Sequence, residues 1–132
     1  MEKVYLAGGF KSGWMNNIEL SVEGIEVVNP MRKEYSGDVR VSMNVVEYAT
    51  WDKHYIKRSD IVFAYVERTN PSCIGVSAEI GYAKGLGKTV ILVLESNNET
   101  IKDSYLQFLT SMADITFSDF ESGLDYLRSF IY

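Results

Sequence analysis

The chain has little of several things that would otherwise define it. A single cysteine, Cys73, in 132 residues rules out an internal disulfide and gives no thiolate set for a metal, which fits a reducing compartment. One histidine, His54, leaves no His-based ligand cluster. Lys and Arg number 13 against 18 Asp and Glu, and no dense basic cluster is present, which argues against tracking a nucleic-acid backbone and leaves a small nucleotide or nucleoside open. No apolar run approaches the roughly 18 residues that cross a bilayer. The amino-terminal MEKVYLAGGF carries only four consecutive apolar residues, too few for a signal peptide, and a cytoplasmic protein is expected. There is no internal repeat and no low-complexity segment.

What remains is an ordinary globular composition, 46% hydrophobic and 23% charged, in a length that suits one domain over residues 1–132. Strand-like runs recur at Lys3 to Ala7, Ile25 to Asn29, Asp60 to Val66, Thr89 to Leu94 and Asp114 to Phe117. Between and after them lie helical patterns at Trp14 to Val22, Met43 to Arg58, Gly75 to Leu86, Ile101 to Met112 and Phe120 to Phe130. Ile61 to Val66 and Val90 to Leu94 are apolar throughout rather than alternating, the mark of strands covered on both faces. Alternation of strand and helix predicts a three-layer α/β domain, flavodoxin-like or Rossmann-like, around a five-stranded parallel sheet. Such sheets bind ligands beyond the carboxyl ends of their strands. The loop Gly8-Gly9-Phe10-Lys11-Ser12-Gly13 and the loop from Glu67 to Ile74 should therefore flank the site.

Two carboxylates fall where apolar residues are expected. On the helix from about Met43, Val45, Ala49, Asp52 and Ile56 share one face. On the helix from about Gly75, Val76, Ile80, Ala83 and Leu86 form the inward arc, and Glu79 projects among them, near the helix start where the macrodipole favours a negative charge. Burying an unpaired carboxylate costs several kcal/mol. Each is therefore expected to be paired, hydrogen-bonded, protonated, or exposed in a cleft cut into the apolar face, the last being the description of an active site.

Other groups carry less. GGFKSG is neither a GxGxxG fingerprint nor a P-loop, though its glycines suit close approach of a ligand. His54 lies two residues from Asp52 and so does not face it; a surface position is expected. Cys73 has no histidine partner, and Ser77 sits in no nucleophile elbow. Of Tyr5 and Leu6, adjacent on the first strand, one faces the site and the other faces away. Trp14 and Trp51 stay unassigned.

Three segments together, VYLAGGF at 4–10, WDKHYIKRSDIVFAY at 51–65 and GVSAEIGYAKGLGKTVILV at 75–93, resemble the nucleoside 2-deoxyribosyltransferase family, including its nucleoside-monophosphate N-glycosidase relatives. The most specific part is E-x-G-x-A at Glu79 with LGK before an apolar strand, and Asp52 eight residues ahead of Asp60. The resemblance implies that Glu79 is the nucleophile that attacks the anomeric carbon. It implies that Asp52 binds a sugar hydroxyl and helps move protons, that Tyr5 orients the nucleophile, and that Gly8 lies where the substrate passes. Gly9, Phe10, Gly75 and the loop residues Ser72 and Cys73 are then expected to touch the substrate. Lys11, with Ser12, Gly13 and Ser72, takes the place of the phosphate-binding loop of the monophosphate relatives. Two departures stand out: the base-contacting aspartate of the family is Cys73 here, and its usual threonine is Val76.

The expected chemistry is cleavage of a 2'-deoxynucleoside N-glycosidic bond by two carboxylates about 5 Å apart, with transfer to a second base. The alternatives are hydrolysis of a 2'-deoxynucleoside 5'-monophosphate, a nucleotide-sensing module that breaks no bond, and a relative that has lost activity. No metal or organic cofactor is called for. The expected partners are a small nucleoside or nucleotide and a second copy of the chain, with neither polymeric nucleic acid nor membrane. The carboxyl end, Phe130 to Tyr132, is expected at that interface.

Overall fold

The computed structural model describes residues 1–31 and 43–132, together with the backbone of 35–36 and 39–40. In chain order the elements are β1 (Lys3–Gly8), α1 (Trp14–Ser21), β2 (Glu26–Val28), β3 (Tyr35–Ser36), β4 (Val39–Arg40), α2 (Val45–Arg58), β5 (Ile61–Val66), α3 (Ile74–Gly85), β6 (Thr89–Leu94), α4 (Asp103–Met112), β7 (Ile115–Phe117) and α5 (Phe120–Arg128). Five strands form one sheet in the order β2-β1-β5-β6-β7, every pair parallel. The expected five-stranded flavodoxin-like sheet is present. β3 and β4 form a separate antiparallel pair that the hydrophobic pattern did not announce.

Period-two alternation sorts the strand residues into two cores. Tyr5, Ala7, Val62, Ala64, Val66, Val90 and Leu92 pack with Ile56 of α2, Val76, Ile80 and Ala83 of α3, and Leu106 and Leu109 of α4. Val4, Leu6, Ile61, Phe63, Tyr65, Ile91 and Val93 pack with Trp14, Met15 and Ile18 of α1 and Leu124 and Leu127 of α5. Three helices thus cover one face and two the other. All six residues of β5 are buried, which is why its sequence reads as an unbroken apolar run.

Local signals set the helix ends. Asn44 caps α2 in a reciprocal capping box, its side chain accepting from the Glu47 N–H at 2.9 Å while the Glu47 carboxylate accepts from the Asn44 N–H at 3.0 Å. The helix therefore starts at Val45 rather than Met43. α3 starts one residue earlier than the pattern suggests, at Ile74, and ends at Gly85.

Two expectations about helix faces are corrected. Val45 is 80% exposed and Ala49 is exposed, so the stripe leading to Asp52 is buried only at its far end, at Ile56. Leu86, assigned to the inward arc of α3, is 39% exposed because α3 ends at Gly85, just before it. Both errors come from extending a periodic pattern past the point where the helix still overlies the sheet. At the carboxyl end, Phe130 packs into the core of its own chain, against Tyr126 at 5.5 Å, while Tyr132 is fully exposed.

Chain order reverses between β1 and β5: from β1 the chain first adds β2 on one side, then crosses back to place β5 on the other. The crevice at such a switch point, outside the carboxyl ends of the strands, is where open α/β sheets take ligands. Here it is bounded by the loops that follow Gly8 and Val66.

Candidate active site

Tyr5 points to the face of the sheet covered by α2 and α3, and Leu6 to the opposite core. The Tyr5 hydroxyl donates a hydrogen bond to Glu79 Oε2 at 2.5 Å. Burial first, then the charges of Glu79 and Asp52 and hydrogen bonding to both, push the phenol far above the usual tyrosine range. It stays protonated, a fixed donor between two carboxylates. Asp52, from α2, and Glu79, from α3, thereby converge on one hydroxyl from residues 27 positions apart in sequence.

Glu79 is the sixth residue of α3, on its second turn, one turn deeper than the first-turn position the sequence suggested. The macrodipole fades beyond the first turn, so the Tyr5 hydroxyl is the closer electrostatic partner. Both carboxylates are half-buried and line two hollows. One is a groove of about 300 Å³ between α2 and α3, walled also by Ala49, Ile56, Gly75 and Tyr82. The other is a small hollow of about 30 Å³ at the end of β1, where Gly8, Phe10, Met15 and Pro30 meet them.

A third and larger space, about 390 Å³, lies between the β1–α1 loop and the β5–α3 loop, with Gly9, Phe10, Lys11 and Ser12 on one wall and Glu67, Thr69, Asn70 and Pro71 on the other. Phe10 borders both this cleft and the hollow that holds the carboxylates. The loop geometry depends on Gly8. Its φ is +150°, and a Cβ there would stand 2.4 Å from the Tyr65 carbonyl oxygen and 2.9 Å from Trp14 Cζ2. Trp14 anchors the next residue, its indole Nε1–H donating to the Gly9 carbonyl at 2.8 Å, while its ring packs edge-on against Tyr65 at 5.4 Å.

The remaining expected site residues separate. Gly75 lines the groove beside Glu79. Cys73 is buried in the core under α3, where desolvation pushes its thiol up, and it lines none of the three spaces. Ser72 is exposed, its hydroxyl turned toward the Ile74 N–H at 3.5 Å, and it too lies outside those linings. Lys11 is exposed at the cleft. His54 is exposed, edge-on to Tyr55 at 4.9 Å, and the Ser77 hydroxyl bonds back to the Cys73 carbonyl at 2.6 Å. Among the described residues no group of three His, Cys, Asp or Glu is arranged to hold a metal ion, and no helix is long and apolar enough to cross a membrane.

Sequence reasoning left Trp14 unassigned, placed the loop from Glu67 to Ile74 at the site without singling out Glu67 or Asn70, and did not name Pro30. Asn70-Pro71 reads as a turn within the loop expected to flank the site, and nothing local says which of its side chains faces the cleft. Trp14 follows the glycine loop directly, a position from which an indole can reach back to a loop carbonyl; that spacing was the one available signal.

Comparison with known proteins agrees with this fold. The family model described as nucleoside 2-deoxyribosyltransferase like matches residues 1–97. No curated protein is significantly similar in sequence. Among solved structures, a conserved protein from Enterococcus faecalis V583 aligns over 98% of each chain with TM-score 0.71 and 18% identity. A 2-deoxyribosyltransferase from Bacillus psychrosaccharolyticus aligns over 97% of this chain and 91% of its own, with TM-score 0.68 and 23% identity. A CMP N-glycosidase from Clostridium botulinum aligns over 97% and 96%, with TM-score 0.57 and 22% identity. At these identities the likeness is one of fold.

Proposed function

The chain belongs to the nucleoside 2-deoxyribosyltransferase-like family, and from that premise we propose that it cleaves the N-glycosidic bond of 2'-deoxynucleosides and passes the sugar to another base through a covalent intermediate on Glu79. The observation that carries this reading is the Tyr5 hydroxyl lying against both Glu79 and Asp52. A protonated phenol on Oε2 of Glu79 orients the carboxylate, one oxygen of which is the nucleophile.

In the first step that oxygen bonds to C1' as the C1'–N bond breaks, and the bonding pair departs on the base nitrogen, which takes up a proton. Asp52, in the same hollow, holds a sugar hydroxyl and assists the proton. In the second step a ring nitrogen of the incoming base attacks C1', Glu79 leaves as carboxylate, and the base nitrogen loses its proton. Water in the place of the second base gives hydrolysis, so the balance between the two depends on how well the site excludes solvent.

A second copy of the chain completes the site in this reading. Val45 and Val46, 80% and 74% exposed at the start of α2, and Ile74, 81% exposed at the start of α3, present apolar surface at the ends of the two helices that wall the groove, Val46 lining a separate hollow with Trp51 and His54.

One further observation favours a variant of the activity. Lys11 and Ser12 line the loop cleft next to Phe10, a place for a 5'-phosphate if the substrate is a 2'-deoxynucleoside 5'-monophosphate and the acceptor is water. Glu67 on the facing wall opposes that charge. Incubation with deoxyinosine and free adenine, and separately with deoxynucleoside monophosphates, followed by chromatography, tests both. Deoxyadenosine and hypoxanthine as products support transfer, and free base from the monophosphate supports hydrolysis. Measurable binding with neither product overturns an enzymatic role in favour of sensing.

A further inference from the structure

We propose that the loop cleft reads an oxo group on the nucleobase and that Asn70 is the donor that reads it; this assignment rests on the nucleoside reading above. Asn70 is 9% exposed, yet its side chain borders the cleft. Its Oδ1 accepts from the Ser72 backbone N–H at 3.2 Å. A backbone N–H can only donate, so this bond fixes which end of the amide is oxygen and turns the NH₂ group the other way. That group lies against Gly9 on the facing wall, Nδ2 standing 3.6 Å from where a Gly9 Cβ would be. Among the described residues no acceptor meets Nδ2, and no buried side-chain nitrogen or oxygen lacks a partner, so this donor keeps access to solvent and is offered to whatever fills the cleft.

The donor is also held still. The Asn70 N–H donates to the Glu67 carbonyl at 2.9 Å, and Asn98 Nδ2 clamps the carbonyls of Asn70 and Glu67 at 2.9 Å and 3.1 Å. A donor held in one place discriminates, because a ligand without an acceptor displaces its water and leaves it unpaired. Glu67 supplies the complementary acceptor in the same cleft. A base edge with a carbonyl oxygen next to a ring N–H, as in hypoxanthine, guanine, uracil or thymine, matches this donor and acceptor together. An exocyclic amine at the carbonyl position would set donor against donor. A phosphate would set its charge against Glu67. Phe10, shared between the cleft and the hollow of Glu79, makes the two spaces neighbours, as a base and its sugar require.

The test compares deoxyinosine, purine 2'-deoxyriboside, which lacks the oxo group, and deoxyadenosine. It measures kcat/KM in the unaltered protein and equilibrium binding by calorimetry in the Glu79→Ala variant. Removing the oxo group should weaken both by on the order of 10- to 100-fold. Asn70→Asp keeps the acceptor for Ser72 but replaces the donor, and should erase that penalty and shift preference toward deoxyadenosine. Asn70→Ser, neutral and smaller, should erase the penalty without the shift, and serves if the added charge impairs folding. An oxo deletion that costs nothing, or a penalty unchanged in both variants, overturns the assignment while leaving the transferase reading intact. So does inorganic phosphate that competes with deoxyinosine in the unaltered protein and no longer does so in Asn70→Asp. Discrimination in binding without turnover of any nucleoside sinks the transferase reading and keeps Asn70 as the base reader. No binding of any of the three nucleosides overturns both.

Discussion

Tyr5, in the middle of the first strand, donates its phenolic hydrogen to Glu79, 74 residues later on α3, at 2.5 Å. The bond spans the switch point of the sheet and joins the strand to the helix that borders the groove. Its loss should be felt in catalysis first. Tyr5→Phe keeps the ring packing and removes only the hydroxyl, so kcat should fall by on the order of 10- to 100-fold with KM little changed. The same variant tests the pH linkage. A phenol whose pKa is raised in the folded state keeps its proton while the unfolded chain releases it above pH about 10, so the unfolded state binds fewer protons and stability falls as pH rises. Tyr65, raised by burial and by Glu95 and Glu67, adds to the slope. Alkaline unfolding followed by circular dichroism should be steep in the unaltered protein and shallower in Tyr5→Phe by about 1.4 kcal/mol per pH unit.

Glu79→Ala should abolish turnover while the circular dichroism spectrum stays native, because Glu79 is only half-buried and Ala favours the helix. Mass spectrometry of the unaltered protein, quenched during turnover, should find a deoxyribosyl adduct on the peptide containing Glu79. Turnover in the variant equal to that of the unaltered protein would rule the covalent route out.

Trp14→Phe should raise KM more than it lowers kcat. The substitution removes the donor to the Gly9 carbonyl but keeps most of the ring contacts with Phe63, Tyr65 and Phe120. The cleft wall then loosens while Glu79 and Asp52 are untouched. A stability loss of about 1–2 kcal/mol in urea titration should accompany it.

Glycines at two edges of the site should respond in opposite directions. Gly8→Ala would drive a Cβ into the Tyr65 carbonyl and should destabilise the fold by about 2 kcal/mol or more. Gly75→Ala meets open space in the first turn of α3, and should raise stability by about 0.5–1 kcal/mol while narrowing the groove beside Glu79. Thermal melts of the two variants give the comparison.

The Val45→Glu, Val46→Glu pair replaces exposed apolar surface with charge and should cost the monomer fold little. Sedimentation velocity should show the unaltered protein as a dimer or larger assembly and the variant as a smaller species with reduced activity. A monomeric unaltered protein with full activity would remove the second copy from the proposed site.

The amino-acid sequence by itself determined the layers of this protein. The unbroken apolar runs of Val4 to Ala7, β5 and β6, set in alternation with helical patterns, point to a parallel sheet covered on both faces, the arrangement that buries every residue of Ile61 to Val66. It also marked Asp52 and Glu79, since a carboxylate next to an apolar stripe contradicts its surroundings and is legible without coordinates. Only the tertiary structure decided which of Tyr5 and Leu6 faces them, for period two fixes that neighbours oppose but not which face meets α3. The same limit hid the exposure of Val45 and Leu86 and the burial of Cys73: a helical pattern shows one side of a helix, and how far that side overlies the sheet depends on where the helix ends and what it packs against. The hydrogen-bonding roles of Asn70 and Trp14 went unread for a related reason. Their hydrogen-bonding ends gain meaning from a loop brought close by strand order, and strand order is a property of the whole chain.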